Sequence, residues 1–168
     1  MSFSLLPNII LTSLTEITPQ MLCEHGVRFL MMDFDNTIVP YTSNIPTAEM
    51  LAWLQMMKQS DISLCIVSNS KRPRVVEFCK KYGLECITHA KKPFQKGISK
   101  AKRKYGLKPS DAALVGDQIF TDVLGANCGS MTSILVKAID NHNIWLKLRH
   151  VAELPFIALG RLKIARGR

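Results

Sequence analysis

Four times in this chain an apolar run stops at a cluster of polar residues, and that repeated ending limits the folds available to it. Residues 27–32, interrupted only by Arg28, give way to Asp33, Phe34, Asp35, Asn36 and Thr37. Residues 64–67 end in Ser68, Asn69 and Ser70, residues 84–87 lead to Lys91, Lys92 and Pro93, and residues 112–115 end in Gly116 and Asp117. Short apolar runs of this kind read as strands buried on both faces, the signature of a parallel sheet. Ligands in open α/β sheets lie outside the carboxyl ends of the strands, so the four clusters are expected to converge on one site.

Helical stretches fill the intervals. Thr18 and Pro19 open a helix closed by Gly26, and Pro46 and Thr47 open one running to Gln59 with Met50, Leu51, Leu54 and Met57 on one face. Ser70 is placed as the cap of a basic helix over 72–82, with Val75, Val76 and Cys79 inward and Gly83 at its end. A very basic helix follows over 94–105, then one over 118–128 and a fifth strand over 131–136. Strand and helix alternate, which predicts an α/β fold of three layers, a doubly wound, mainly parallel sheet with right-handed crossovers.

A chain of 168 residues with 47% hydrophobic and 21% charged residues has the size and composition of one globular domain, residues 1–168. Residues 1–26 form an extension before the first strand, and residues 141–168 a basic amphipathic tail. Ile144, Leu148 and Val151 share a helical face in that tail until Pro155, read as a break. The tail either docks on the core or lies on a bilayer surface. Five cysteines without a CxxC pair suit a reducing compartment. No apolar run is long enough to span a bilayer, and the apolar opening lacks the basic start and cleavage site of a signal peptide. A cytoplasmic protein is expected, with peripheral contact at the inner face of the membrane left open.

The net charge of +9 is uneven: residues 71–108 hold 13 Lys and Arg against Glu77 and Glu85. Solvated helix faces account for such a run, and so does attraction to a polyanion, whether anionic lipid or nucleic acid.

The polar clusters carry specific chemistry. An aspartate such as Asp33 can attack phosphorus and carry the phosphoryl group, and a second acid two residues on, Asp35, can protonate the leaving oxygen and then activate water. Alone, two such residues at a strand end are equally well read as a turn or cap. Asp117 and Asp122 add two acids, and brought beside Asp33 they make a hard oxygen site suited to Mg²⁺. Lys92 is the matching counter-charge for a phosphoryl group. Ser68 and Asn69, entering a helix, can donate to the same oxygens.

In that order, Asp33-Phe34-Asp35-Asn36-Thr37, Ser68, Lys92 and Gly116-Asp117 with Asp122 resemble the four motifs of the haloacid dehalogenase superfamily. The resemblance covers residues 27–122. It implies strand order 5-4-1-2-3 with the strand of Asp33 central, and phosphatase chemistry because the second acid is Asp35. It also implies Mg²⁺ on Asp33, the Asp35 carbonyl and Asp117, with Asp122 behind them or acting through water, and Thr37 beside the phosphate with Ser68, Asn69 and Lys92. Asp33 to Ser68 is 35 positions and Ser68 to Lys92 is 24, which leaves no room for the cap domain that many members insert.

Shorter matches at Leu5-Leu6-Pro7, Ile17-Thr18-Pro19 and His89-Ala90-Lys91-Lys92-Pro93 resemble the YqeG-like, IIIA-type branch, related to phosphatidylglycerophosphate phosphatases of mitochondria and plastids. That likeness implies a lipid phosphate as substrate. Two other readings are a phosphatase acting on a nucleotide or RNA terminal phosphate, and a non-enzymatic basic adaptor at a ribosome or membrane. The sparse aromatics oppose the RNA reading, and the costly acidic cluster opposes the adaptor.

Overall fold

The run ending at Met32 forms an inner strand of a six-stranded, wholly parallel sheet in the computed structural model, which describes residues 3–71, 73–140 and 144–166, with 144–150 by backbone only. The strands are β1 (Ile9–Leu11), β2 (Phe29–Met32), β3 (Ser63–Val67), β4 (Glu85–Ile87), β5 (Ala112–Gly116) and β6 (Thr132–Val136). They lie in the order β1-β6-β5-β2-β3-β4. Counted from the strand of Asp33, the last five read 5-4-1-2-3, as expected.

The sixth strand is an addition. Three residues are too few to show a strand period, and β1 is defined by its partner: Ile9 pairs with Ile134 and Leu11 with Val136. Asn8 fixes the register, its Oδ1 accepting from the Ser133 backbone N–H at 2.9 Å and from Ser133 Oγ at 2.8 Å.

Because successive side chains of a strand point to opposite faces, β2 serves two cores. Leu30 and Met32 pack with Trp53, Met57, Val75 and Phe78 under α2 (Ala48–Lys58) and α3 (Arg74–Tyr82). Phe29 and Met31 pack with Ile98, Ala101 and Ala126 under α4 (Gln95–Tyr105) and α5 (Leu124–Cys128). The short helix α1 (Pro19–Glu24) is capped by Thr18, whose hydroxyl accepts from the Met21 N–H. The connections β2 to β3 and β3 to β4 hold a loop and a helix each, with no inserted domain among the described residues.

The helices differ from the sequence reading in five places. Leu51 and Val76 turn toward solvent, while Trp53 and Phe78 take the buried positions; a helical step of one residue rotates a side chain by about 100°, off the inward face. Helix α3 starts at Arg74 with Pro73 before it, and Ser70 stays in the loop, its N–H donating to Ser68 Oγ at 3.0 Å. The expected helix over 118–128 is a π-helical turn, Ile119–Val123, followed by α5. Pro155 does not break the tail: α6 runs from Ile144 to Arg166.

Proline in a helix interior costs roughly 3 kcal/mol, so packing on both sides has to hold α6 together. Glu153 is buried, Phe156 stacks edge-on against Phe120, and Gly160 meets Pro7 where a Cβ would lie only 2.9 Å from its ring. The tail therefore docks on the core through this face. Ile144 and Leu148 with Lys147 and Arg149 fall outside the described side chains, and Arg72 and Arg168 outside the described residues.

Candidate active site

Parallel pairing in register sets the strand ends level. Met32 lies beside Ile66 and Val115, Val67 beside Ile87, and Gly116 beside Leu135. Asp33 extends the ladder by one bond, its N–H donating to the Val115 carbonyl at 2.9 Å, and Asp117 follows directly on β5. The chain then turns at Asn36, whose φ of 61° is left-handed, a conformation asparagine tolerates better than most residues. Its side-chain Oδ1 accepts from the Tyr41 N–H at 3.0 Å and its carbonyl from the Ile139 N–H at 3.0 Å.

Lys92 is delivered by the loop after β4. Asn69 grips its backbone from both sides: Asn69 Oδ1 accepts from the Lys92 N–H at 2.6 Å and Asn69 Nδ2 donates to its carbonyl at 2.9 Å. Asn69, expected to donate to a phosphate, thus has both ends of its amide engaged in holding this loop. Lys91 points outward, whereas Lys92 is 5% exposed, with Nζ 2.6 Å from Asp33 Oδ1 and 2.7 Å from Asp122 Oδ1.

Asp33, Asp117 and Asp122 each offer a carboxylate oxygen within 4.8 Å of the others, all three side chains buried. One ammonium cannot neutralise that much negative charge. Burial pushes the Asp33 carboxyl up to about 6; Lys92 pulls it down, while Asp122 and, more weakly, Asp35 push it further up. Burial works against the Lys92 ammonium too, but the Asp122 and Asp33 carboxylates outweigh it and hold its pKa above the ordinary lysine range. Lysine stays charged, and the excess negative charge falls on the carboxylates.

This donor set fits a divalent metal ion: hard carboxylate oxygens, close together, with a surplus of charge that a cation would relieve. Asp122, expected behind the direct ligands or acting through water, has a carboxylate oxygen within 4.8 Å of those of Asp33 and Asp117. The Asp35 carboxylate is not in this cluster; it faces Arg74, with Oδ1 3.4 Å from Nη2.

Arg74 is a residue that sequence reasoning passed over as one more charge on a basic helix. Its guanidinium donates to the carbonyls of Tyr41, Pro40 and Ser43 at 2.5, 3.1 and 2.8 Å, and it lies over the Phe34 ring. It ties the loop after the first motif to α3. Ser68 and Thr37 are both buried at the strand ends, and Thr37 Oγ1 has no hydrogen-bond partner among the described residues.

Glu153 was missed as well. Its Oε1 accepts from the buried Ile119 N–H at 2.9 Å, at the start of the turn that carries Asp122. A lone acid in a tail of cations was the available signal. Asp122 is also held by the Gln118 N–H, which donates to Oδ2 at 3.2 Å. Gly116 makes room for it, since a Cβ there would overlap the Asp122 carboxylate. Gly116→Ala is accordingly expected to lower stability by about 1–3 kcal/mol, as overpacking does, in urea denaturation of the two proteins side by side.

Comparison with known proteins agrees with this geometry. Residues 25–129 match the model of the haloacid dehalogenase-like hydrolases. A protein of Bacillus subtilis named "Probable phosphatase YqeG" is 37% identical over 131 residues, covering 78% of this chain and 76% of its own. The fold is shared with the cobalt-bound deoxy-D-mannose-octulosonate 8-phosphate phosphatase of Haemophilus influenzae, at a TM-score of 0.56 and 16% identity over 74% of this chain and 75% of that one. It is shared too with the 3-deoxy-D-manno-octulosonate 8-phosphate phosphatase of Yersinia pestis, at a TM-score of 0.54 and 13% identity over 89% and 90%. With its four motifs at the level ends of one parallel sheet, the chain belongs to the haloacid dehalogenase-like hydrolases, and within them it is similar to proteins named as phosphatases.

Proposed function

We propose that the protein hydrolyses a phosphomonoester through a phosphoryl group carried on Asp33. The observation that carries this reading is the buried Lys92 ammonium held between Asp33 and Asp122, 2.6 and 2.7 Å away, beside Asp117. In the first step an Asp33 carboxylate oxygen bonds to phosphorus as the bond to the ester oxygen breaks, and that oxygen takes the proton of Asp35. In the second step Asp35 accepts a proton from water, the water oxygen bonds to phosphorus, and Asp33 leaves, freeing inorganic phosphate.

Lys92 pairs with the phosphoryl oxygens as their charge grows. Ser68 and Thr37 line the same oxygens, and the hydroxyl of Thr37, without a hydrogen-bond partner among the described residues, suits that task. Asn69 acts through Lys92 by fixing its backbone. Arg74 orients Asp35. Asp33, Asp117 and Asp122, with the Asp35 carbonyl, would hold Mg²⁺, which would screen the repulsion between nucleophile and dianionic phosphate.

For the substrate we infer a phosphate on a glycerol lipid headgroup, phosphatidylglycerophosphate. Likeness to the YqeG-like branch supports this, as does a site over which no domain is inserted among the described residues. Helix α6 exposes Val151, Leu159 and Leu162 beside Lys163 and Arg166, a composition suited to an anionic bilayer surface. No helix among the described residues is long and apolar enough to cross a membrane, so contact would be peripheral.

The test is phosphate release from phosphatidylglycerophosphate in mixed micelles with Mg²⁺, beside soluble phosphomonoesters, nucleotides and 5′-phosphorylated RNA. Release from the lipid above all others, lost with EDTA, is the expected result. A preference for nucleotide or RNA would replace the lipid reading, and no release from any ester would remove the chemistry.

A further inference from the structure

A groove of about 620 Å³ runs between α6 and the strand edge formed by β1 and β6, and the metal-cluster acid Asp117 is part of its lining. Its walls are mainly apolar, from Ile10, Leu135, Leu154, Ile157 and Ile164. Two cations, Lys137 and Arg161, also line it, and neither forms an ion pair among the described residues. The carboxylate of Glu16, also in the lining, is already engaged by the N–H groups of Thr12 and Ser13. The size is that of a small-molecule site; of its four charged side chains Glu16 is bound by backbone N–H groups and Asp117 belongs to the acidic cluster, while the two cations have no ion-pair partner among the described residues.

We propose that this groove receives the leaving group of the substrate: an apolar chain bearing a second anionic group, with the chain along Leu154, Ile157 and Ile164 and the anion against Arg161 and Lys137. The inference rests on phosphoryl transfer at Asp33 for its orientation, because the groove reaches the reacting acids only at Asp117. It adds residues that choose the substrate without touching phosphorus. Helix α6 thereby becomes one wall of the binding site, formed by residues outside the segment 25–129 that matches the family.

The experiment uses the full chain with Mg²⁺ and a series of alkyl phosphates from ethyl to octyl, below their micelle concentrations, scored by phosphate release. Binding of the matching alkylphosphonates, which cannot be hydrolysed, is followed in parallel by calorimetry. Both kcat/KM and affinity are expected to climb roughly two- to fourfold per methylene until the groove is full. In Leu154→Asp the octyl-to-ethyl ratio should fall at least about tenfold, the loss of a few buried methylenes. In Ala152→Asp, on the solvent side of α6 and outside the groove lining, it should persist. A terminal carboxylate on the chain should improve binding severalfold, and Arg161→Gln should erase that gain.

A flat series in both readouts, or a slope untouched by Leu154→Asp, overturns the proposal. Hydrolysis without a slope removes the groove and leaves the chemistry standing. A slope in phosphonate binding with no ester hydrolysed does the reverse. Faster turnover of a micellar lipid phosphate than of the octyl ester, with the same dependence on Leu154, would identify the amphiphile as a membrane lipid; equal rates would identify a soluble one.

Discussion

Asp33→Asn is expected to abolish phosphate release, with a loss on the order of 10⁴-fold or more in kcat, the scale seen when a covalent nucleophile is removed. The same substitution should stabilise the metal-free protein. Asp33 has its pKa raised from 3.8 to about 6, so the folded chain binds the proton more tightly than the unfolded one. A raised pKa of this kind gives stability below pH 4 that is lost as pH climbs toward 6, and the full penalty, on the order of 2–3 kcal/mol, is present at pH 7. Asparagine keeps the shape and carries no charge to desolvate. Urea denaturation in EDTA at pH 4.5 and 7.5 checks this: the wild type should lose stability between the two values relative to the variant. A variant less stable than wild type at pH 7.5 would mean that the Asp33–Lys92 pair outweighs the burial of the carboxylate.

Lys92→Met should have the larger effect on the fold. Methionine fills most of the lysine's volume, so the change isolates the charge. Asp33 and Asp122 each lose an ammonium that sits within 2.7 Å of them, and removing one partner of a buried pair typically costs 3–5 kcal/mol. The penalty belongs to ionised carboxylates, so it should shrink as pH falls to 5 and Asp33 takes up its proton. It should shrink as well when millimolar Mg²⁺ is added at pH 7.5, because an ion that binds only the folded chain stabilises it. Thermal melts in EDTA and in Mg²⁺ at both pH values give the comparison. Equal melting temperatures for variant and wild type in EDTA at pH 7.5 would show that Lys92 does not offset a buried negative charge in the folded chain. Activity should fall by about 10²–10³-fold even where the fold is restored.

The strands and most of the site could be read from the chain because each rests on a local signal. A buried parallel strand is a short apolar run, and its end is marked where polarity returns, so Asp33, Ser68, Lys92 and Asp117 announced themselves by position. What escaped depends on distant partners. Arg74 looks like its basic neighbours until the fold brings the loop 40–43 and Asp35 against it. Glu153 matters only because Ile119 has a buried N–H to satisfy. Pro155 was read by its local cost, which the anchors on either side of it override, and the π-helical turn that presents Asp122 has no sequence period of its own.

The strand that sequence reading missed has a consequence for how copies of the molecule meet in concentrated solution. With β1 in place the sheet ends on one side in a three-residue strand, and on the other side β4 is also three residues long. Each rim therefore presents only about 10 Å of ladder at the usual rise per residue. Without β1 the rim would be the five residues of β6, four of them buried, a longer and more apolar template for pairing with a neighbour. Short rims are one of the ways sheet proteins avoid joining edge to edge, and here a few residues ahead of the first helix supply that protection.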